Sequence, residues 1–377
     1  MNMERKSIIY ADNAATTQLD IDAFEAMKPY LLNEYGNASQ PYSFARKPKQ
    51  ALKEARITIA KCINASPEEI YFTSGGTESD NWAIKAIAMN GEIGKILTSK
   101  IEHHAILNSC KSVETQGICV EYLDVSNTGV LEPTTLAGAI TDSTKLVSVM
   151  YANNEIGSIQ PIKELCEIAH RNGALFHTDA VQAVGHVEID VKELGVDLLS
   201  ASAHKFNGPK GIGFLYIKKG TPIQAYTNGG SQEFSLRAGT ENVASIVGMA
   251  VALKKNCDFI EQNTKHINGL EEHLLQLLSD SNMDFVRNGS ANHIPGNISL
   301  SFKNADGEAI LHRLDLKGIC ISTGAACNSV KTEISHVLQA ISLPIEYAKG
   351  TIRISVGITN ILSDVITIVE NLMKILT

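Results

Sequence analysis

Short apolar runs alternate with longer segments of mixed polarity between residues 68 and 217. These runs are rich in β-branched and aromatic residues and are bounded by glycine or polar residues, which predicts strands. Strands that alternate with helix-length segments indicate a mostly parallel, helix-covered sheet. The predicted strands cover residues 69–73, 95–98, 145–151, 174–177, 197–200 and 212–217.

One connecting segment carries clear helix signals. Pro161 stands at its expected first turn, apolar residues recur three and four positions apart, and Gly173 follows its end. Ligands of such sheets bind where parallel strands deliver their carboxyl ends. The polar candidate residues of this chain come just after predicted strands, which is where such sheets bind their ligands.

A second unit follows the sheet. Residues 243–280 are predicted to form one long helix that carries the chain out of the first unit. No low-complexity linker separates the two units, so we expect them to pack together with the active site between them. The later predicted elements are a strand at 297–302, a helix at 307–316, a strand at 351–355 and a helix at 363–376.

Composition narrows the possible partners. The 377 residues carry a net charge of −8 and a pI near 5.8, which argues against a nucleic-acid-binding surface. No stretch of 18 apolar residues suggests a membrane span, and the N-terminus lacks a secretory core, so a cytoplasmic protein is expected. Seven cysteines at irregular spacings, without a Cys-x-x-Cys pair, indicate reduced thiols and no metal site.

Residues 202–213 carry the chemistry that stands out most. Lys205 follows an apolar strand and lies next to a histidine, a setting suited to a Schiff base because burial and polar neighbours lower the pKa of an amine. Asp179 ends the apolar run 174–179, and a carboxylate there would keep a pyridine nitrogen protonated. The pair predicts a pyridoxal phosphate enzyme.

A glycine-rich turn at residues 72–79 lies between a predicted strand and a predicted helix. Backbone amides at a helix N-terminus bind anions, and the Gly-Lys-Ser/Thr of a nucleotide P-loop is missing, so a cofactor phosphate is favoured over ATP. A plain turn is the alternative. Ser202 and His204 would supply further phosphate donors, unless they simply end a strand.

His103 and Arg353 each have two possible interpretations. His103 is an ordinary satisfied histidine unless a cofactor is present, in which case its ring would stack on that cofactor and move protons. Arg353 lies inside an apolar strand, where it would either pair with an internal carboxylate or bind the carboxylate of a substrate.

Cys327 follows a loop of small residues, 322–326, that offers nothing with which to build a core. Such a loop suits a mobile, exposed thiol that reaches a substrate held elsewhere. A spare thiol without a role is the alternative.

Nine segments in order resemble the cysteine desulfurases of the NifS/IscS type, and the resemblance covers essentially the whole chain. They are residues 11–17, 72–81, 102–105, 153–157, 177–182, 204–211, 229–233, 236–242 and 322–327. The resemblance implies the α/β architecture of fold type I pyridoxal phosphate transferases, with a large domain built on a mostly parallel seven-stranded sheet and a smaller α+β domain. We place the large domain at residues 12–256 and the small domain at 1–11 and 257–377.

The resemblance also implies a pyridoxal 5'-phosphate site. Lys205 would form the Schiff base, Asp179 would partner the pyridine nitrogen, and His103 would stack on the ring. Asn154 and Gln182 would contact the phenolic oxygen. The phosphate would be held by Gly76, Thr77, Ser202 and His204, with Thr240 reaching in from the other subunit of a homodimer.

The implied reaction converts L-cysteine to L-alanine and leaves the sulfur as a persulfide on Cys327. Arg353, with Asn154, would bind the substrate carboxylate, while Lys205 or His103 moves protons. An iron–sulfur scaffold or a thiolation enzyme would accept the sulfur, and the sequence leaves the choice open. Tyr42 replaces a histidine that is common in the family, which affects the expected entrance to the site.

Three rival functions share these features. A selenocysteine lyase or a β-lyase would use the same cofactor site, and a class-V aminotransferase would use the same lysine without needing a thiol. A non-catalytic binding subunit could retain the fold, but it would have no need of Lys205, Asp179 and Cys327 together.

Overall fold

The computed structural model describes residues 8–88, 94–323 and 334–376. Within them the strands are β1 (Ile9–Tyr10), β2 (Ile70–Thr73), β3 (Lys95–Ser99), β4 (Cys119–Leu123), β5 (Thr144–Ser148), β6 (Leu175–Asp179), β7 (Leu198–Ser202), β8 (Gly213–Ile217), β9 (Phe285–Asn288), β10 (Asn297–Phe302), β11 (Ile319–Cys320) and β12 (Thr351–Ser355).

The α-helices of the same residues connect and cover these strands. They are α1 (Ile21–Leu32), α2 (Arg46–Cys62), α3 (Gly76–Ala88), α4 (His104–Glu114), α5 (Pro133–Ala139), α6 (Ile162–Arg171), α7 (Val191–Leu194), α8 (Val243–Asp258), α9 (Ile260–Asp280), α10 (Gly307–Asp315), α11 (His336–Ala340), α12 (Ile345–Ala348) and α13 (Leu362–Leu376).

A seven-stranded sheet organises the larger part of the chain. Its strand order is β2-β8-β7-β6-β5-β3-β4, and β8 is antiparallel to both of its neighbours while the other adjacent pairs are parallel. Parallel strands β6 and β7 therefore end at the same edge of the sheet. This confirms the predicted α/β class and the mostly parallel seven-stranded sheet.

Two apolar clusters cover the two faces of this sheet. Ile96 packs in a cluster with residues of α3 and α4, whereas its neighbour Leu97 packs with residues of α2, α6 and α8. Successive residues of a strand point to opposite faces, so the sheet is buried on both sides. Burial on both faces explains why its inner strands are near-continuous apolar runs.

Strand β4 was not among the predicted strands. It pairs only with β3 at the edge of the sheet, and its residues alternate between exposed and half-buried until Leu123. An edge strand needs few apolar residues because one side of it faces solvent. The sequence Cys-Val-Glu-Tyr-Leu therefore lacks the strong apolar signal of the inner strands.

The smaller unit combines two sheets with helices from the C-terminal part of the chain. Strands β12, β10 and β9 form an antiparallel sheet, and β1 pairs in parallel with β11. A separate apolar cluster joins these strands to α9, α10 and α13. Ala11 and Ile267 belong to this cluster, so the N-terminal strand packs with the C-terminal half of the chain. The predicted domain limits themselves stay a prediction.

The single long helix predicted for residues 243–280 is wrong. The structure has two helices, α8 and α9, separated at Phe259, whose backbone (φ −119°, ψ 16°) leaves the helical region. Neither glycine nor proline marks the break, so the apolar pattern runs through it. The change of direction lets α8 pack on the large sheet while α9 packs in the smaller unit.

Two further properties concern membrane-spanning helices and the state of the cysteines. None of the helices among residues 8–88, 94–323 and 334–376 combines the length and the apolar character needed to cross a bilayer. The six cysteines of these ranges are free thiols.

A left-handed turn at Glu233–Ser235 is held by a buried ion pair. Its three residues have φ values of 44°, 57° and 66°, each of which costs about 1–2 kcal/mol for a residue with a side chain. Both guanidinium nitrogens of Arg56 donate to the Glu233 carboxylate, at 2.8 and 2.7 Å, and the Phe72 amide donates to it at 2.9 Å. The Glu233 carboxylate thus joins the turn to Arg56 and to β2.

We predict that Glu233→Ala lowers the free energy of unfolding by about 3–5 kcal/mol, because it leaves the Arg56 guanidinium buried without a counter-charge. Urea unfolding followed by circular dichroism at one protein concentration would measure the change. Glu25→Ala, which removes an exposed partner of Lys28, is the control and should cost less than about 0.5 kcal/mol. A loss below about 1 kcal/mol for Glu233→Ala would contradict the prediction.

Candidate active site

A cleft of about 730 Å³ opens where β6 and β7 end and where β12 of the smaller unit faces the large sheet. Most of the residues that the sequence singled out line it, although they come from distant parts of the chain. They are Gly76, Thr77, His103, Asn154, Asp179, Gln182, Ser202, His204, Lys205 and Arg353.

Lys205 is placed by a single 3-10 turn, Ala203–Lys205, that follows β7 directly. Its ammonium donates to the carbonyl oxygens of Ala14 at 2.6 Å and Ala15 at 2.9 Å. The backbone oxygen of Lys205 accepts a hydrogen bond from Nε2 of His186 at 2.8 Å. Both ends of the residue are therefore fixed, and the amine is held at the cleft by backbone carbonyls.

Asp179 is the last residue of β6 and is 5% exposed. Its Oδ1 accepts a hydrogen bond from the amide of Val181 at 2.9 Å. Burial raises the pKa of Asp179 from 3.8 to about 6, although the Val181 amide and the charge of Lys205 act in the opposite direction. A buried carboxylate of this kind gains most from a cation placed against it.

A neutral histidine lies in the layer below Asp179. His177 is fully buried, with Nδ1 at 2.9 Å from the Ser148 hydroxyl and Nε2 at 3.0 Å from the Ser200 hydroxyl. Burial lowers the pKa of His177 to about 3, so the ring carries no charge. His177 therefore supplies no positive charge to Asp179, whereas the charge of Lys205 acts on it.

His103 occupies the N-cap position of α4 and lines the cleft. Its Nδ1 accepts a hydrogen bond from the Ala105 amide at 3.1 Å, which leaves the ring proton on Nε2. Burial, followed by the positive charge of Lys205, lowers the pKa of His103 to about 4. The imidazole is therefore neutral near pH 7, with its orientation fixed by the helix.

A glycine turn leads into the N-terminus of α3 at one side of the cleft. Gly75, with φ 147°, turns the chain from β2 into the helix, and a Cβ on Gly76 would lie 2.6 Å from Cγ2 of Val181. Glycine at both positions lets the backbone pass close to Ser202, whose hydroxyl would lie 3.4 Å from a Cβ on Gly75. First-turn amides and the Ser202 and Thr77 side chains thus surround one side of the cleft.

His204 faces the same region from the turn after β7. Its Nδ1 lies 3.1 Å from the Thr16 hydroxyl, and its backbone oxygen accepts from the amide and the hydroxyl of Thr17. Burial, with the charges of Lys205 and Lys210, lowers the pKa of His204 to about 4. It is a neutral hydrogen-bonding group at neutral pH.

Arg353 lies in the centre of β12 and is 4% exposed. Its Nη2 donates to Oδ1 of Asp12 at 2.7 Å, and its Nη1 donates to the backbone oxygen of Asn154 at 2.8 Å. Its Nε is buried without a hydrogen-bond partner among the described residues. The internal carboxylate that the sequence left open is therefore Asp12, and the arginine lines the cleft while it is held by this carboxylate.

The side chains of Gln182 and Asn154 are positioned in different ways. The Gln182 amide nitrogen donates to the carbonyl oxygen of Ala14 at 3.0 Å. Asn154 is presented by an Asx turn, in which the side-chain oxygen of Asn153 accepts from the amides of Glu155 and Ile156. Both amides line the cleft.

Two predicted residues are not among those that line the cleft in the described part of the chain. Thr240 is exposed and does not line the cleft of this chain. Cys327 lies outside the described residues, as do all residues from 324 to 333. Directly after that range, the Ser335 hydroxyl donates to Oε2 of Glu155 at 2.5 Å, which fixes the start of α11 beside the cleft.

Sequence reasoning did not single out two buried acidic residues, Glu102 next to His103 and Asp80 in the lining of the cleft. Glu102 is fully buried, where its Oε1 accepts from the Ser99 hydroxyl and the Met150 amide, and burial raises its pKa to about 8. Asp80 is buried, its Oδ1 has no hydrogen-bond partner among the residues that the structure describes, and burial raises its pKa well above the usual range. Both lie within the segments that resemble the family, but spacing alone did not distinguish them from surface acids.

Known proteins are similar to this chain over nearly its whole length. Residues 9–368 match the model of the aminotransferase class-V family. A cysteine desulfurase IscS from Dictyoglomus turgidum is 48% identical over 356 residues, covering 94% of this chain and 90% of the relative. The enzymes of this family depend on pyridoxal 5'-phosphate.

Two solved structures extend the similarity to three dimensions. One is described as a NifS-like protein, with a TM-score of 0.93 and 35% identity over 98% of this chain and 99% of that one. The other, SspA in complex with cysteine, has a TM-score of 0.83 and 34% identity over 94% of this chain and all of the other. The chain belongs to the aminotransferase class-V family, in its cysteine desulfurase branch.

Proposed function

We propose that this cysteine desulfurase binds pyridoxal 5'-phosphate in the cleft and uses Cys327 to take the sulfur of L-cysteine, with L-alanine as the product. One observation carries the proposal. Residues expected for the cofactor and for the substrate carboxylate come from separate segments of the chain, yet they line a single cleft around Lys205. The rivals that lack a sulfur-accepting thiol would not need Cys327.

The donor set fits the cofactor at three points. Asp179 supplies a buried carboxylate for a protonated pyridine nitrogen, and Lys205 supplies the amine for the aldehyde. The first turn of α3, with Ser202 and His204, supplies donors for a doubly charged phosphate. His103 would pack against the ring, and Asn154 and Gln182 would meet its phenolic oxygen. When bound, the cofactor supplies an electron sink for negative charge that develops at the substrate Cα.

The protein's own groups then handle the protons. The amine of Lys205, once free, accepts the proton from Cα, because its turn holds it at the cleft. His103 is neutral with its proton on Nε2. Its Nε2 can therefore donate this proton and later accept one back, and the ring holds no lasting charge. Arg353 binds the substrate carboxylate, assisted by Asn154.

Sulfur transfer requires the thiolate of Cys327. Its sulfur attacks the substrate sulfur, an S–S bond forms, and the Cβ–S bond of the substrate breaks with its electron pair left on carbon. A proton then completes the methyl group of L-alanine. The sum is L-cysteine plus an enzyme thiol giving L-alanine plus an enzyme persulfide, so no external oxidant is needed.

The assembly around this chain is part of the proposal. The exposed position of Thr240 supports a homodimer in which this residue serves the phosphate site of the other subunit. The persulfide would pass to an iron–sulfur scaffold or a thiolation enzyme. A cytoplasmic location fits the free thiols of the described residues, since disulfides are rare there.

We predict that brief exposure of the purified enzyme to L-cysteine adds one sulfur atom to Cys327, detected by intact-protein and peptide mass spectrometry. Cys327→Ala should gain no sulfur and lose at least about 99% of L-alanine formation, since the nucleophile is missing. Cys119→Ser, which changes an exposed cysteine at the sheet edge, is the matched control and should behave as the wild type. Full alanine production by Cys327→Ala would rule out the assignment.

Lys205→Ala should lose both turnover and the visible absorbance band of the lysine-bound cofactor, because no other amine is held at this point of the cleft by the same turn. Lys163→Ala, at an exposed lysine that pairs with Glu193, is the control for spectrum and rate. An absorbance scan with a coupled alanine assay would test both. A Lys205→Ala enzyme with an unchanged band would place the Schiff base on another lysine.

Asp179 should destabilise the cofactor-free protein above about pH 6. Its pKa is raised on folding from 3.8 to about 6, so the folded state binds more protons and loses stability as the pH rises through this window. Cofactor-free Asp179→Asn should therefore melt at a higher temperature than the wild type near pH 8, and the difference should shrink below about pH 4.

Added pyridoxal phosphate should reverse that order, because only the charged aspartate pairs with a protonated ring nitrogen. Thermal melts with and without the cofactor, at both pH values, give the measurement. An Asp179→Asn variant that is stabilised by the cofactor as strongly as the wild type would contradict the pairing.

A further inference from the structure

Arg353 is already held by an internal carboxylate before any substrate is present. We propose that Asp12 is a positioning residue for substrate binding: it fixes the Arg353 guanidinium in the orientation that receives the α-carboxylate of L-cysteine. The inference rests on the proposed function, because it takes Arg353 as the carboxylate receptor.

The hydrogen bonds of the guanidinium support this role. Asp12 accepts from Nη2 at 2.7 Å and the Asn154 carbonyl accepts from Nη1 at 2.8 Å, so both terminal nitrogens are held from the protein side. Nε is buried and has no partner among the described residues. Each terminal nitrogen carries two N–H groups and these contacts use one of each, which leaves donors for the oxygens of a substrate carboxylate.

Asp12 is itself rigid because it begins a tight turn, residues 12–17, which we call the N-terminal turn. The amides of Ala15 and Thr16 donate to the backbone oxygen of Asp12, at 3.0 and 3.5 Å. The Tyr10 hydroxyl lies at 3.0 Å from that same oxygen and at 2.8 Å from the oxygen of Thr16. The carboxylate is thus carried by a backbone that has little freedom.

The N-terminal turn is also fixed to the strand that carries Arg353. The amide of Ala14 donates to the Ser355 hydroxyl at 2.9 Å, and the amide of Asn13 donates to the Ser355 carbonyl at 3.1 Å. Residues 353 and 355 point to the same side of β12, since side chains alternate along a strand. The side chains of Arg353 and Ser355, on one side of β12, therefore both form hydrogen bonds with the N-terminal turn.

The same turn holds the other end of the substrate site. The carbonyl oxygens of Ala14 and Ala15 accept hydrogen bonds from the Lys205 ammonium. Arg353 and Lys205 are thus both bonded to residues that lie within four positions of each other. The N-terminal turn sets the separation between the group that binds the carboxylate and the group that meets the substrate amine.

A purely structural ion pair explains these contacts less well. Backbone hydrogen bonds between the N-terminal segment and β12, such as Ser355 to Ala11 at 2.8 Å, already join the two. Burying a charge pair gains little stability over apolar packing, and here it also leaves Nε unpaired. An arginine kept in this state is better suited to a ligand that completes its hydrogen bonds.

The test compares two substitutions of Asp12 in the cofactor-loaded enzyme. Asp12→Ala removes the acceptor, so we expect the KM for L-cysteine to rise about tenfold while kcat changes less than about twofold. Asp12→Asn keeps an oxygen that accepts from Nη2, so its KM should stay within about threefold of the wild type. Asp22→Ala, at an exposed aspartate on α1, is the control.

A binding measurement separates positioning from general damage to the site. L-Alanine carries the carboxylate, whereas cysteamine is cysteine without it, and both perturb the absorbance of the bound cofactor. Asp12→Ala should weaken L-alanine about tenfold and leave the dissociation constant of cysteamine unchanged within about twofold. Equal weakening of both ligands, or of neither, would overturn the proposal, as would an Asp12→Asn variant as impaired as Asp12→Ala.

Arg353→Ala distinguishes failure of this inference from failure of the assigned carboxylate receptor. If Arg353→Ala weakens L-alanine and Asp12→Ala does not, the role of Asp12 is wrong and the receptor stands. If Arg353→Ala leaves L-alanine binding unchanged, the receptor assigned under the proposed function is wrong, and Asp12 falls with it. Melting temperatures and cofactor content of each variant show whether it is folded and loaded.

Discussion

Buried charge is the constraint on which the site of this protein depends. Asp179, Glu102 and Asp80 bring three carboxyl groups out of water around one cleft, and burial raises the pKa of each. Lys205, Lys210 and Arg353 are cations that line the same cleft. Charges that are taken out of water must be paired or neutralised. The charge distribution of the site therefore favours ligands that carry the complementary charges.

The constraint also explains why the histidines of the site are neutral. The pKa values of His103, His177 and His204 are all lowered by burial, and the charge of Lys205 adds to the effect for His103 and His204. Neutral imidazoles can accept and donate hydrogen bonds without adding positive charge. The positive charge of the site thereby comes from lysine and arginine side chains, of which Lys205 and Arg353 are held by hydrogen bonds to the N-terminal turn.

The N-terminal turn joins the two units of the fold at this point. Its residues contact β12 through Ser355 and the loop after β7 through His204 and Lys205. Segments that are more than 140 positions apart in the chain are thus brought together by a few short hydrogen bonds. A long-range contact of this kind fixes the site only once both units have formed, which couples the chemistry of the cleft to the packing of the whole chain.

The sequence alone determined the α/β class, the inner strands of the sheet and ten of the residues that line the cleft. Apolar runs reveal strands buried on both faces, and chemically distinctive residues follow those runs. Only the tertiary structure decided that the helix predicted at 243–280 breaks at Phe259, that β4 completes the sheet edge, and that Asp12 is the carboxylate held by Arg353. Periodicity reports which face of an element is buried, but the partner of a buried charge depends on contacts between distant segments, which no local pattern contains.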